Sequence, residues 1–95
     1  MVPVSAALLW EAVVNETLKA YSVVAAGIGL GLAALGGAIG MGNTAAATIA
    51  GTARNPGLGG KLMTTMFIAL AMIEAQVIYA LVVAMIALYA NPFLG

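Results

Sequence analysis

Cysteine and histidine are absent from this chain, and charge is nearly so. Without Cys or His there is no disulfide staple, zinc finger, Cys/His metal centre or histidine-based triad. No metal site and no bound cofactor are expected. The charged residues are Glu11, Glu16, Lys19, Arg54, Lys61 and Glu74, only 6% of the 95 residues, where ordinary domains carry roughly 25%. So few charges do not cover the surface of a small soluble protein. Three basic residues do not build a phosphate-binding field, so no nucleic-acid partner is expected. A nucleotide-cradling loop and Mg²⁺-holding carboxylates are missing too, so the chain alone is not expected to be an enzyme. Small and apolar residues abound instead, with 64% in the hydrophobic class and 12 glycines. Together these point to a small integral membrane protein.

The charges divide the chain. Residues 1–19 form a mixed N-terminal extension, apolar through Trp10 and then carrying Glu11, Glu16 and Lys19. Its one basic residue follows the apolar stretch, the reverse of a signal peptide, so cleavage is not expected. Residues 20–53 hold no charge and would make roughly 50 Å of helix, more than the roughly 30 Å a hydrocarbon core requires. The run Arg54, Asn55, Pro56, Gly57 breaks this pattern, because proline restricts its predecessor and glycine permits positive φ. With Gly59, Gly60 and Lys61 it makes a polar loop over residues 54–61. Residues 62–90 form a second apolar segment with one charge, Glu74, and Asn91 and Pro92 begin a short tail over 91–95. The fold class is therefore all-α, a two-span transmembrane helical hairpin. Arg54 and Lys61 flank the loop, so the positive-inside rule puts it in the cytoplasm and both termini on the opposite side.

The first span is unusually bare. Gly29, Ala33, Gly36, Gly40 and Ala47 form one row at helical spacing, and Gly27, Gly31, Ala34, Ala38, Gly42 and Ala45 form another. In lipid, small residues let backbones approach and pack by dispersion. Glycine costs a helix about 1 kcal/mol each in water, so this many implies close packing against other protein. The stripe is broader than a single pairwise contact needs. It suits a helix touched on both sides, as in the inner wall of a closed ring of identical hairpins.

Glu74 is the most informative residue. It lies roughly 18 Å down a segment of roughly 42 Å, near mid-bilayer. A carboxylate there costs several kcal/mol unless protonated or paired, and neither span holds a Lys or Arg. The neutral acid is therefore the expected resting form, able to release its proton on meeting water or a cation. Reflection through the loop puts Met41 at the level of Glu74, between Gly40 and Gly42. Met72, Ala75, Ile78 and Tyr79 are its neighbours on the second helix, and the Tyr79 hydroxyl can donate or accept a hydrogen bond. A sodium site needs several oxygen ligands, but the side chains of Met41 and Ala75 offer none. Gln76 points about 200° away on an ideal helix. A proton needs only the carboxyl and one acceptor, so protons are expected in preference to sodium. The alternative function is a structural or channel-forming oligomer in which Glu74 only hydrogen-bonds between helices.

Taken in order, these features resemble the c subunit family of F-type ATP synthases, the rotor-ring proteolipids. The glycine-rich first helix, the Arg54-Asn55-Pro56 loop, Glu74 followed by Tyr79, and the ending Ala90, Asn91, Pro92, Phe93 carry the resemblance over residues 20–95. It implies a homo-oligomeric ring with the first helix inside, and Glu74 as the ion-carrying carboxylate. It also implies that Arg54, Asn55 and Pro56 face the central stalk, and that an arginine of the stator a subunit meets each carboxylate in turn. Identical copies of the chain, the a subunit, the central stalk and membrane lipids are the implied partners, in a bacterial inner membrane. Sodium-type members place a glutamine where Met41 stands and a hydroxyl residue where Ala75 stands, and both departures favour protons.

Overall fold

The computed structural model describes residues 3–92, and these are almost wholly helical. Helix α1 runs Val4–Arg54, a single 3₁₀ turn covers Pro56–Leu58, and helix α2 runs Gly59–Tyr89. The two helices fold back on each other as a hairpin measuring 78 × 15 × 15 Å. The 51 residues of α1 account for its length, at about 76 Å of unbroken helix. Both helices are long and apolar enough to cross a membrane.

The turn is tighter than the expected loop over 54–61. Arg54 still belongs to α1, and Gly59, Gly60 and Lys61 are already the first turn of α2. Pro56 forces Asn55 out of the helix, to φ −143° and ψ 81°, and this ends α1. The Asn55 N–H still donates to Gly51 O at 3.0 Å, and the Leu58 N–H donates to Asn55 O at 3.0 Å. No described glycine takes a positive φ. Proline and the extended asparagine make the turn, and Gly59 serves instead by close approach, since a Cβ there would stand 3.2 Å from Thr52 Cγ2. Arg54 in the last turn of α1 also suits the negative end of the helix dipole.

The helices meet along one seam with a spacing near 3.5 residues. On α1 it runs through Ser22, Ala26, Ala33, Gly37, Gly40, Thr44, Thr48 and Gly51, all buried or half-buried. On α2, Leu62, Met66, Ile73, Val77, Ala80 and Ala84 answer them. In the loop-proximal half, large α2 side chains fill the space beside small α1 residues. A Cβ on Gly51 would stand 3.1 Å from Leu62 Cδ1, and one on Gly37 only 2.7 Å from Val77 Cγ2. Toward the open end small faces small, and Ala26 and Ala84 are the buried apolar residues there. Asn91 closes that end by donating from Nδ2 to Ser22 Oγ at 2.7 Å.

Residues 4–21 extend α1 about 27 Å beyond this closure, with no helix beside them among the described residues. The sequence sets residues 1–19 apart as an extension, yet from Val4 onward no break separates it from the span, because nothing between Val4 and Arg54 interrupts a helix. The hairpin has almost no interior. Its accessible surface is 7029 Å², against about 5,000 Å² for a compact soluble monomer of this mass. Most of that excess is apolar side chain, which requires lipid or further protein around it.

Candidate functional site

Glu74 owes its position to the seam. Ile73 and Val77 point at α1, so Glu74 stands about 100° round the helix from Ile73, on one flank of the hairpin. Its carboxyl is exposed on the single chain. Leu70, Ile78 and Leu81 share its stripe of the helix, so it is a lone polar group in an apolar strip. Lys61 and Tyr89 lie about 20 Å and 22 Å away along the axis, which puts Glu74 in the middle of α2.

Across the hairpin, Ile73 Cδ1 comes within 3.5 Å of a Cβ built on Gly40. Because the helices run antiparallel, this contact and that of Gly37 with Val77 put Glu74 level with Ile39 and Gly40, one to two residues from the Met41 given by reflection through the loop. Met41 is half-buried and brings no oxygen. Two threonines follow on α1, and both are self-satisfied. Thr44 Oγ1 donates to Gly40 O at 2.9 Å, and Thr48 Oγ1 donates to Thr44 O at 2.8 Å. Among the described residues Glu74 itself has no hydrogen bond and no ion pair. No cluster of carboxylates forms around it among the described residues either.

The other expected neighbours are spread round α2. Ala75 is half-buried and lies about 200° round the helix from the seam residue Ile73. Met72 and Gln76 each lie about 200° from Glu74, toward the opposite flank, and Tyr79 about 140° away. Tyr79 is 70% exposed and its hydroxyl has no hydrogen bond among the described residues. One chain thus presents its carboxyl on one flank and Gln76, Met72 and Tyr79 toward the other. Arg54, Asn55 and Pro56 are all exposed at the hairpin tip.

Of the glycines picked out for packing, Gly40 alone meets α2. Around Gly29, Gly31, Gly36 and Gly42 a Cβ would find nothing within 4 Å. These four are not part of the hairpin contact, because the seam passes through Gly37 instead. The two rows drawn from the sequence pass over Gly37. The signal for it was a seam spacing of three and four residues shared with Ala26, Ala33 and Thr44.

Fold and site together define a two-span membrane hairpin with one carboxyl group at the middle of its second helix. The family model for the C subunit of ATP synthase matches residues 24–87. A Sulfurimonas denitrificans protein, named as the c subunit of ATP synthase, is 88% identical over 83 residues, spanning 87% of this chain and 80% of that one. A Sulfurovum protein of the same name is 90% identical over 81 residues, spanning 85% and 80%. One from Campylobacter fetus is 89% identical over 81 residues, spanning 85% and 81%. The chain belongs to the ATP synthase C-subunit family. It is a bacterial membrane protein with two spans.

Proposed function

We propose that this chain is the proton-carrying rotor-ring subunit of an F-type ATP synthase, coupling proton flow to rotation through reversible protonation of Glu74. The observation that carries this is the placement of Glu74. It is the one carboxyl group of the spans, level with the middle of α2, unpartnered among the described residues and turned away from the hairpin seam. As a neutral acid it can face hydrocarbon. As an anion it must stay beside water or a positive group. A ring of such hairpins therefore turns through lipid only where each carboxyl is protonated. Exchange with an aqueous path and a stator arginine then biases each step.

Family membership supports the ring and the assembly with a stator a subunit and a central stalk. The bare face of α1 supports side-by-side packing of copies, and the exposed tip with Arg54, Asn55 and Pro56 supports the stalk contact. The chain is non-catalytic in this reading, and nucleotide chemistry belongs to the rest of the complex. It sits in the cell inner membrane with the tip in the cytoplasm, since Arg54 and Lys61 both flank it. Protons are carried in preference to sodium, because Met41 and Ala75 supply no side-chain oxygen.

Glu74→Gln tests the role. It retains size and hydrogen bonding but removes titration. In inverted vesicles from cells making only this variant, the oligomer is expected to assemble while ATP-driven proton pumping is lost. Pumping at the wild-type rate by an assembled Gln variant would leave Glu74 as interhelical hydrogen-bond glue.

A further inference from the structure

Residues 4–21 lie outside the segment 24–87 matched by the family, yet they continue α1 without a break. With Glu74 at mid-bilayer they begin about 28 Å from its level, beyond the roughly 15 Å half-thickness of a hydrocarbon core. Glu11, Glu16 and Lys19 are half of all the charged residues in the chain, and Lys19 Nζ pairs with Glu16 Oε1 at 3.6 Å in the open. Trp10 is about 18 Å further along the axis than Ser22, where α2 has already ended. Beyond that charged band the helix still carries bare apolar side chains, with Leu9 68% and Trp10 70% exposed. Apolar groups fixed on a rigid helix outside the bilayer require a partner.

The partner is set by continuity. The extension is a straight prolongation of α1, so whatever places α1 beside its copies places the extension beside its copies at the same height. Its two flanks are complementary. Ala6, Ala7, Trp10 and Glu11 frame a groove of about 540 Å³ on one flank. Leu9 projects from the other, about 200° round the helix from Ala7. In a closed ring each copy offers opposite flanks to its two neighbours, a head-to-tail contact that would set Leu9 against the groove of the next copy.

We infer that residues 4–21 form a copy-to-copy packing segment, a helical collar that prolongs the ring wall beyond the membrane, with Leu9 of each chain seated in the Ala6–Ala7–Trp10 groove of the next. This rests on the ring proposed above. The collar adds apolar contact between copies where α2 is absent, and so stabilises the closed oligomer without touching the ion path.

The chain has no cysteine, so paired substitutions report cleanly. Ala7→Cys combined with Leu9→Cys cannot bond within one helix, because the two face opposite ways. Mild oxidation in native membranes is expected to give a ladder of covalent multimers rising to the closed oligomer, with no ladder from either single variant. Trp10 is the sole tryptophan and supplies a second measurement on the unsubstituted chain. In the assembled oligomer its emission is expected to resist both iodide and brominated lipid. A closed oligomer that gives no ladder overturns the collar and leaves the ring standing. So does strong iodide quenching, which would mean a free helix, or strong quenching by brominated lipid, which would mean a membrane-surface helix. An unsubstituted chain that images as separate hairpins overturns the ring itself, and the collar with it.

Discussion

Gly37 and Val77 meet so closely that a Cβ on the glycine would stand 2.7 Å from Val77 Cγ2, with Ile73 Cγ2 at 3.5 Å on its other side. Gly36, one residue earlier, faces open space in the hairpin. Adjacent glycines therefore serve different surfaces. Gly37→Ala is expected to weaken the hairpin by about 1–3 kcal/mol through overpacking. Gly36→Ala is expected to leave the isolated hairpin unchanged. SDS titration of the protein in mixed micelles reads both. Adding Val77→Ala to Gly37→Ala is expected to recover part of the loss, a coupling that a double-mutant cycle measures.

At the open end of the hairpin a side-chain bond runs from Asn91 Nδ2 to Ser22 Oγ. Its removal by Ser22→Ala is expected to cost about 1 kcal/mol or less, the usual worth of such a bond in a membrane protein. The loss falls on the last turn of α2. Hydrogen exchange at Leu88 and Tyr89 is expected to quicken by up to about fivefold, with amides near Ile73 unaffected. Equal acceleration along α2 would show that the bond does not act locally.

The tip and the extension are expected on opposite faces of the membrane. Arg54 and Lys61 bracket the turn, and Glu16 and Lys19 lie about 55 Å from Arg54 along α1. Single cysteines at Gly57 and at Ser5 test this, since both positions are exposed. An impermeant maleimide added to right-side-out vesicles is expected to label the Ser5 variant and to reach the Gly57 variant only after permeabilisation. Labelling of both before permeabilisation would refute the two-span topology.

The hairpin was legible because its signals are coarse. Long uncharged runs, one proline after Asn55 and two flanking cations dictate two spans and a turn whatever the packing. Mid-span placement of Glu74 followed from counting alone, and reflection through the loop came within two residues of the register seen at Gly40 and Ile73. The seam was less legible. Gly and Ala dominate α1 between Ala25 and Ala53, so composition does not say which small residue meets a partner. The large residues of α2 decide that, by placing Val77 over Gly37 and Leu62 over Gly51. The extent of the turn was overestimated for a related reason. Gly59 and Gly60 look like loop residues, but both are helical, and Gly59 is small where α2 passes close to Thr52.

Selectivity turns on how few oxygens the flank of Glu74 holds. Met41 shares its level and brings a thioether, Ala75 brings a methyl group, and the nearby threonines donate to their own helix. Tyr79 and Gln76 face other directions on the same helix. A sodium ion stripped of water needs several hard oxygen ligands, and one carboxylate does not replace its hydration shell. A proton needs no shell, only the carboxyl oxygen. Hydrophobic carbodiimides react with the protonated acid, so bound sodium would shield Glu74 from them. Labelling of Glu74 in isolated membranes at neutral pH is expected to proceed at the same rate, within about twofold, with or without millimolar sodium, and Glu74→Gln is expected to abolish it. Strong protection by sodium would overturn the proton assignment. The missing oxygens would then have to come from the Gln76 and Tyr79 flank of a neighbouring copy, and Gln76→Leu in that setting would remove the protection.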